Sequence, residues 1–103
     1  MIDWTRVGEL RDEVGEEDLL DIADIFLDEM AEAIDPLRGG AEPAALPEFL
    51  HFLKGASLNM GFGTLGATCT AAEQAPDKLS LTQIVTQFDA SRQALLDGLA
   101  EFA

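Results

Sequence analysis

The stretch "LPEFLHFLKGASLNMGFG", residues 46–63, decides how this 103-residue chain folds. Its apolar residues recur every three to four positions, the spacing of one helix face. At about 100° per residue, Phe49, Leu53, Ala56 and Met60 fall on one side, with Phe52 at the edge. They form the expected core face. His51, the single histidine, lies on the opposite side and shares it with Lys54, Gly55 and Leu58. Pro47 is tolerated only in a first helical turn, so the helix is expected to begin near Leu46 or Pro47; a kinked start from Pro43 is the alternative. Gly61 and Gly63 close it.

The same helical spacing runs through almost the whole chain, with no convincing strand. Asp3 is a plausible N-cap for a short first helix through about Glu13, broken by Gly15. A second helix is expected from about Glu16 to Leu37. Its stripe is Leu19, Ile22, Phe26, Met30, Ala33 and Leu37, widened by Leu20, Leu27 and Ile34. Acids at its start and Gly39-Gly40 at its end suit those termini. A fourth helix should span about Thr64 to Ala75, stopped by Pro76-Asp77. Ser80 and Gln83 make a capping-box pattern for a fifth, carrying Leu81, Ile84, Val85, Phe88, Leu95, Leu99 and Phe102. Trp4 is expected to pack on the bundle, and Met30 and Met60 to lie in the core. The pattern predicts an all-α fold: an antiparallel four-helix bundle with a short additional N-terminal helix, one domain over 1–103.

Twenty acidic and six basic residues give a net charge of −14. Such a surface repels phosphate backbones and anionic bilayers, so neither nucleic acid nor membrane is an expected partner. No apolar run approaches the roughly 20 residues that span a bilayer. The N-terminus lacks the basic and apolar regions of a secretory signal. Cys69 has no second cysteine to pair with, which fits a buried hydrophobe in a cytoplasmic protein. The distribution of charge is more telling than its sum. Residues 1–38 hold thirteen acids and three bases, whereas residues 46–70 hold only Glu48 and Lys54 besides the histidine.

Within that uncharged window the exposed helix face is unusual. Glycine at 55 weakens a helix by about 1 kcal/mol relative to alanine. What it gains is a surface stripped of side chains, where another molecule can approach closely. Beside it, Leu58 reads as part of a docking patch. Imidazole is substantially neutral near pH 7, so a ring nitrogen can be a nucleophile, and Lys54 one turn away can offset the charge of an incoming phosphoryl group. There is no nucleotide-binding glycine loop, no serine elbow and no second histidine or cysteine for a metal. A nucleophile without machinery of its own suits a carrier rather than an enzyme.

At this point the chain resembles the histidine-containing phosphotransfer (HPt) domain. The pattern H-x-x-K-G with a further glycine is present as His51, Lys54, Gly55 and Gly61. "EEDLLDIADIFLDEM" is similar to that family's second helix and "GFGTLGATCTAAE" to the turn and helix after the active one. The resemblance implies a phosphorelay intermediate in which Nε2 of His51 exchanges a phosphoryl group with an aspartate of a response-regulator receiver domain. Lys54 would pair with phosphoryl oxygens, and Gly55, Leu58 and Glu48 would line the partner contact. Mg²⁺ would belong to the receiver, with no cofactor on this chain, which is expected to be a monomer. Gly61-Phe62 also resembles the phosphotransfer domain of chemotaxis histidine kinases. There a glutamate on the following helix accepts a hydrogen bond from Nδ1 of the histidine; the matching residue is Glu73, with Gln74 a weaker substitute. Pro47 and Gly66 depart from the pattern. Two alternatives stay open: direct phosphorylation by a hybrid or chemotaxis-type histidine kinase, and a non-phosphorylated helical adaptor binding through the same face.

Overall fold

Short-range capping sets the helix boundaries. The structure, a computed structural model, describes residues 1–102, the side chain of Phe102 excepted. Asp3 Oδ1 accepts the amides of Thr5 and Arg6 at 3.1 and 3.3 Å and opens α1, Trp4–Val14. Gly15, at φ +88°, turns the chain directly into α2, Glu16–Arg38. Three acids in the first turn of α2 and Arg38 in its last each face the favourable end of the helix dipole. α3 runs Leu46–Met60 with Pro47 in its first turn, where the missing N–H leaves no bond unmade. After the Gly61-Phe62 corner come α4, Gly63–Gln74, a 3₁₀ turn at Pro76–Lys78, and α5, Leu81–Phe102. Ser80 Oγ accepts the Gln83 amide at 3.1 Å, so the expected cap is in place.

α2 packs on α3, α3 on α4, α4 on α5, and α5 back on α2, a closed ring of four helices. This is the expected bundle, with α1 laid across α2 and the end of α3. Its axis is filled by Leu19, Leu27, Met30 and Ile34 of α2, Leu50, Leu53 and Met60 of α3, Leu65 and Cys69 of α4, and Ile84, Phe88 and Leu95 of α5. Each large side chain taken from water contributes about 1.5–3 kcal/mol, which is what drives the helices together. The side chain of Phe102, expected on the α5 stripe, lies outside the described residues.

Two core faces are rotated from their expected positions. On α2 the buried line is Leu19, Ala23, Leu27, Met30 and Ile34; Ile22 and Phe26 are half-buried and Leu20 is exposed. Periodicity weighted by large side chains overlooks Ala23, whose small size suits a close helix contact. On α3 the buried residues are Leu50, Leu53, Ala56, Ser57 and Met60. Phe49 is only partly buried, and Phe52 turns outward at 37% exposure. α3 packs against both α2 and α4, so its buried arc is centred between them rather than on the aromatic residues.

The N-terminal segment before α1 fastens the end of α3. Ile2 and Phe62 form an antiparallel bridge, the Asp3 amide donates to the Gly61 carbonyl at 2.7 Å, and the Gly63 amide donates to Met1 O at 3.0 Å. Gly61 sits at φ +74°, and a Cβ there would lie 2.6 Å from the Asp3 carbonyl oxygen. Only glycine meets both demands. Trp4 packs on Gly98 of α5, as expected for a bundle-bound indole. Gly66, out of pattern in the sequence, is explained by burial at the α3–α4 contact, where a Cβ would lie 3.3 Å from Leu58 Cδ2. Among the described residues no helix is long and apolar enough to cross a membrane.

Candidate functional site

α3 is fastened at its C-terminal end and buried along its inner face, so its outer face is presented on a fixed support. His51 lies in its second turn and is exposed. Among the described residues, nothing hydrogen-bonds to its ring. One turn on, Gly55 is exposed and helical, and a Cβ there would meet nothing within 4 Å. Neither crowding nor backbone conformation requires glycine at this position. Its effect is on the outside: the surface beside the histidine is bare backbone.

Two apolar side chains flank this bare strip. Leu58 is 57% exposed and lies beside Gly66. Phe52, placed at the core edge by the sequence pattern, instead stands on the opposite flank of the histidine face. Phe52 therefore adds an exposed aromatic ring to the histidine face, which the helical spacing had placed at the core edge. The signal was available: at about 100° from His51 it is as close to the outer face as to the inner one. Glu48 is exposed in the first turn of α3, where the positive end of the helix dipole favours a carboxylate.

Lys54 and Glu73 meet across the α3–α4 seam. Lys54 Nζ donates to Glu73 Oε1 at 2.8 Å, with both side chains about 30% exposed. Below them Cys69, fully buried on α4 one turn before Glu73, has its thiol pushed up to about 11, chiefly by burial and then by the Glu73 carboxylate, with Lys54 opposing. Such a thiol stays protonated and inert, as expected for a core cysteine. The expected hydrogen bond from His51 Nδ1 to Glu73 is not formed in this structure. The Lys54 ammonium takes the carboxylate, because its flexible four-carbon stem spans the seam and a charged donor makes the stronger bond. Gln74, the weaker alternative, faces away and lines a groove of about 910 Å³ between α4, the 3₁₀ turn and the start of α5.

The charge of this surface differs from the rest of the molecule. α3 and α4 together hold one lysine and two glutamates, Glu48 and Glu73, around the single histidine. The pairing with Glu73 leaves Lys54 within side-chain reach of His51, since residues three apart on a helix are neighbours. Among the described residues, no three histidine, cysteine or carboxylate side chains gather as metal ligands would.

A scan against protein-family models matches the family described as "Hpt domain" over residues 21–101, which runs from the second turn of α2 to the end of α5 and leaves out α1. No curated protein and no solved structure matches the chain. The match covers most of the sequence and spans the bundle with its exposed histidine. This chain therefore belongs to the Hpt domain family, helical bundles that carry phosphoryl groups in two-component and phosphorelay signalling and interact there with response-regulator and kinase partners.

Proposed function

We propose that His51 is the phosphoryl carrier, exchanging the group with aspartates of response-regulator receiver domains. One observation carries this: His51 projects from a supported helix with a lysine one turn on and bare backbone at Gly55. In the transfer, the Nε2 lone pair attacks the phosphorus of an aspartyl phosphate. The N–P bond forms as the O–P bond breaks, and aspartate leaves as a carboxylate. The ring retains its Nδ1 proton as an imidazolium and then yields it to solvent. Lys54 neutralises part of the phosphoryl charge, and the return transfer is the same path reversed.

The receiver supplies Mg²⁺ and the acidic pocket, and this chain supplies a nucleophile and a docking face. A receiver's acidic site would be repelled by α2 and is tolerated by the near-neutral face of α3 and α4. Gly55 admits the receiver's loops, while Phe52 and Leu58 give apolar contact on either side and Glu48 borders the patch. The interface should be transient, near or below about 1,200 Å². On this reading the protein acts in the cytoplasm, and as a monomer.

The test is transfer of label from phosphorylated receiver domains. Wild type should take up acid-labile phosphate, and His51→Ala should take up none with its helical circular dichroism unchanged. Label persisting on His51→Ala would overturn the assignment. If wild type is never labelled while Gly55→Arg still abolishes capture of a partner, the face serves an adaptor instead.

A further inference from the structure

Lys54 has two claimants. It is the sole cation on α3 and α4, hence the one available to a phosphoryl group on His51 from these two helices, and in the resting structure Glu73 holds it at 2.8 Å. We propose that Glu73 is a positioning residue that sets how readily His51 holds a phosphoryl group, by competing with that group for Lys54. This rests on the assignment of His51 as carrier and deepens it.

The competition follows from placement and charge. Lys54 lies three residues after His51 on α3, and Glu73 reaches it from the last turn of α4. A dianionic phosphoryl group at Nε2 draws the ammonium along α3, away from Glu73. The carboxylate, left behind at the seam over the buried Cys69, then faces a second anion with its counter-charge shared. Both effects disfavour the phosphorylated state. Glu73 therefore keeps the phosphohistidine high in transfer potential, ready to pass its group on. In the unphosphorylated state the same carboxylate parks Lys54 within reach of the site. This differs from the role expected by resemblance, in which the glutamate accepts a hydrogen bond from Nδ1 and orients the ring.

Phosphoramidate, a small phosphoryl donor, tests this without a partner: the Nε2–P bond forms as the donor's P–N bond breaks, and ammonia leaves with a proton. Equal amounts of wild type and ¹⁵N-labelled Glu73→Gln are loaded in one tube with excess phosphoramidate and ammonium, and plateau occupancy is read by intact mass. Glu73→Gln should be favoured by about three- to tenfold in the odds of phosphorylation, the scale of a partly exposed charge contact. In a Lys54→Met background the gain should shrink to less than half, which a merely structural role for Glu73 would not produce. Equal occupancy overturns the competition, and lower occupancy of Glu73→Gln assigns Glu73 to the ring instead. A wild type that exchanges phosphate with receivers yet gives either result loses only this inference. A His51 that is loaded by neither receivers nor phosphoramidate overturns the carrier assignment itself.

Discussion

α2 and α3 both bury one face in the same core, and they treat the other face in opposite ways. α2 carries nine acids and one base over 23 residues, with carboxylates stacked at i, i+4 along its outer side. Like charges at that spacing destabilise a helix by about 0.2–0.5 kcal/mol per pair. α3 carries one acid, one lysine and the histidine, exposes Phe52 and Leu58, and contains a glycine that packing does not require. Each helix gives up stability, α2 to self-repulsion and α3 to bare backbone. The repulsive field of α2 discourages anionic partners over most of the surface, and α3 and α4 leave one window open.

The glycines of α3 and its corner put the largest effects on this contrast. Gly61→Ala would force a left-handed φ on an L-residue and drive its Cβ against the Asp3 carbonyl oxygen, at an expected cost of about 3 kcal/mol. The urea midpoint should fall accordingly, and an unchanged midpoint would mean that the N-terminal segment does not grip this corner. Gly55→Ala, two turns earlier, should move the other way, gaining up to about 1 kcal/mol. Gly55→Arg should fold as well as wild type and lose receiver-dependent labelling at least about tenfold, the scale of a disrupted interface hot spot. If Gly55→Arg transfers phosphate at the wild-type rate, the bare strip is not the approach path.

These same residues show how much was readable from sequence. The five helices, their caps at Asp3 and Ser80, and the outward placement of His51 follow from local spacing, and local spacing is what a sequence displays directly. The rotation of the α2 and α3 core faces does not. It depends on where neighbouring helices press, and Ala23 and Ser57 contribute to that contact without registering as hydrophobic peaks. The Lys54–Glu73 pair joins positions nineteen residues apart on different helices, and resemblance had assigned Glu73 to another partner. Gly66 looked like a flaw until the side chain of Leu58 was seen against it.

A smaller effect probes the acidic helix. Asp28 lies four residues after Asp24 and four before Glu32, so Asp28→Lys converts two repulsive spacings into attractive ones. Stability should rise by about 1 kcal/mol at low salt. The gain should shrink as salt approaches 0.15 M, where the Debye length is about 8 Å. Phosphotransfer should stay at the wild-type level, because the change is on α2 and leaves α3 and α4 alone. A loss of transfer in Asp28→Lys would show that the receiver also contacts α2, and the contrast between the two helices would fail.

The smallest effect is at the point where α2 is tied down. Arg38, in its last turn, donates to both Asp89 oxygens of α5 at 2.8 and 2.6 Å and to Asp35 at 3.2 Å. Chiefly through that hydrogen bond, it holds the Asp89 carboxyl below the usual aspartate range. The Arg38 and Asp89 side chains are 39% and 49% exposed, so solvent screens most of the attraction. A carboxyl whose folded pKa is depressed stabilises the fold above its unfolded value of about 4, and that contribution disappears as pH falls through the lower folded value. Asp89→Asn should therefore lower the urea midpoint slightly at pH 7, by the same amount at pH 6, and not at all well below pH 4. A difference that persists in acid would mean that packing, rather than charge, joins α2 to α5 at this end. The tie would then belong with the uncharged contacts that hold α3.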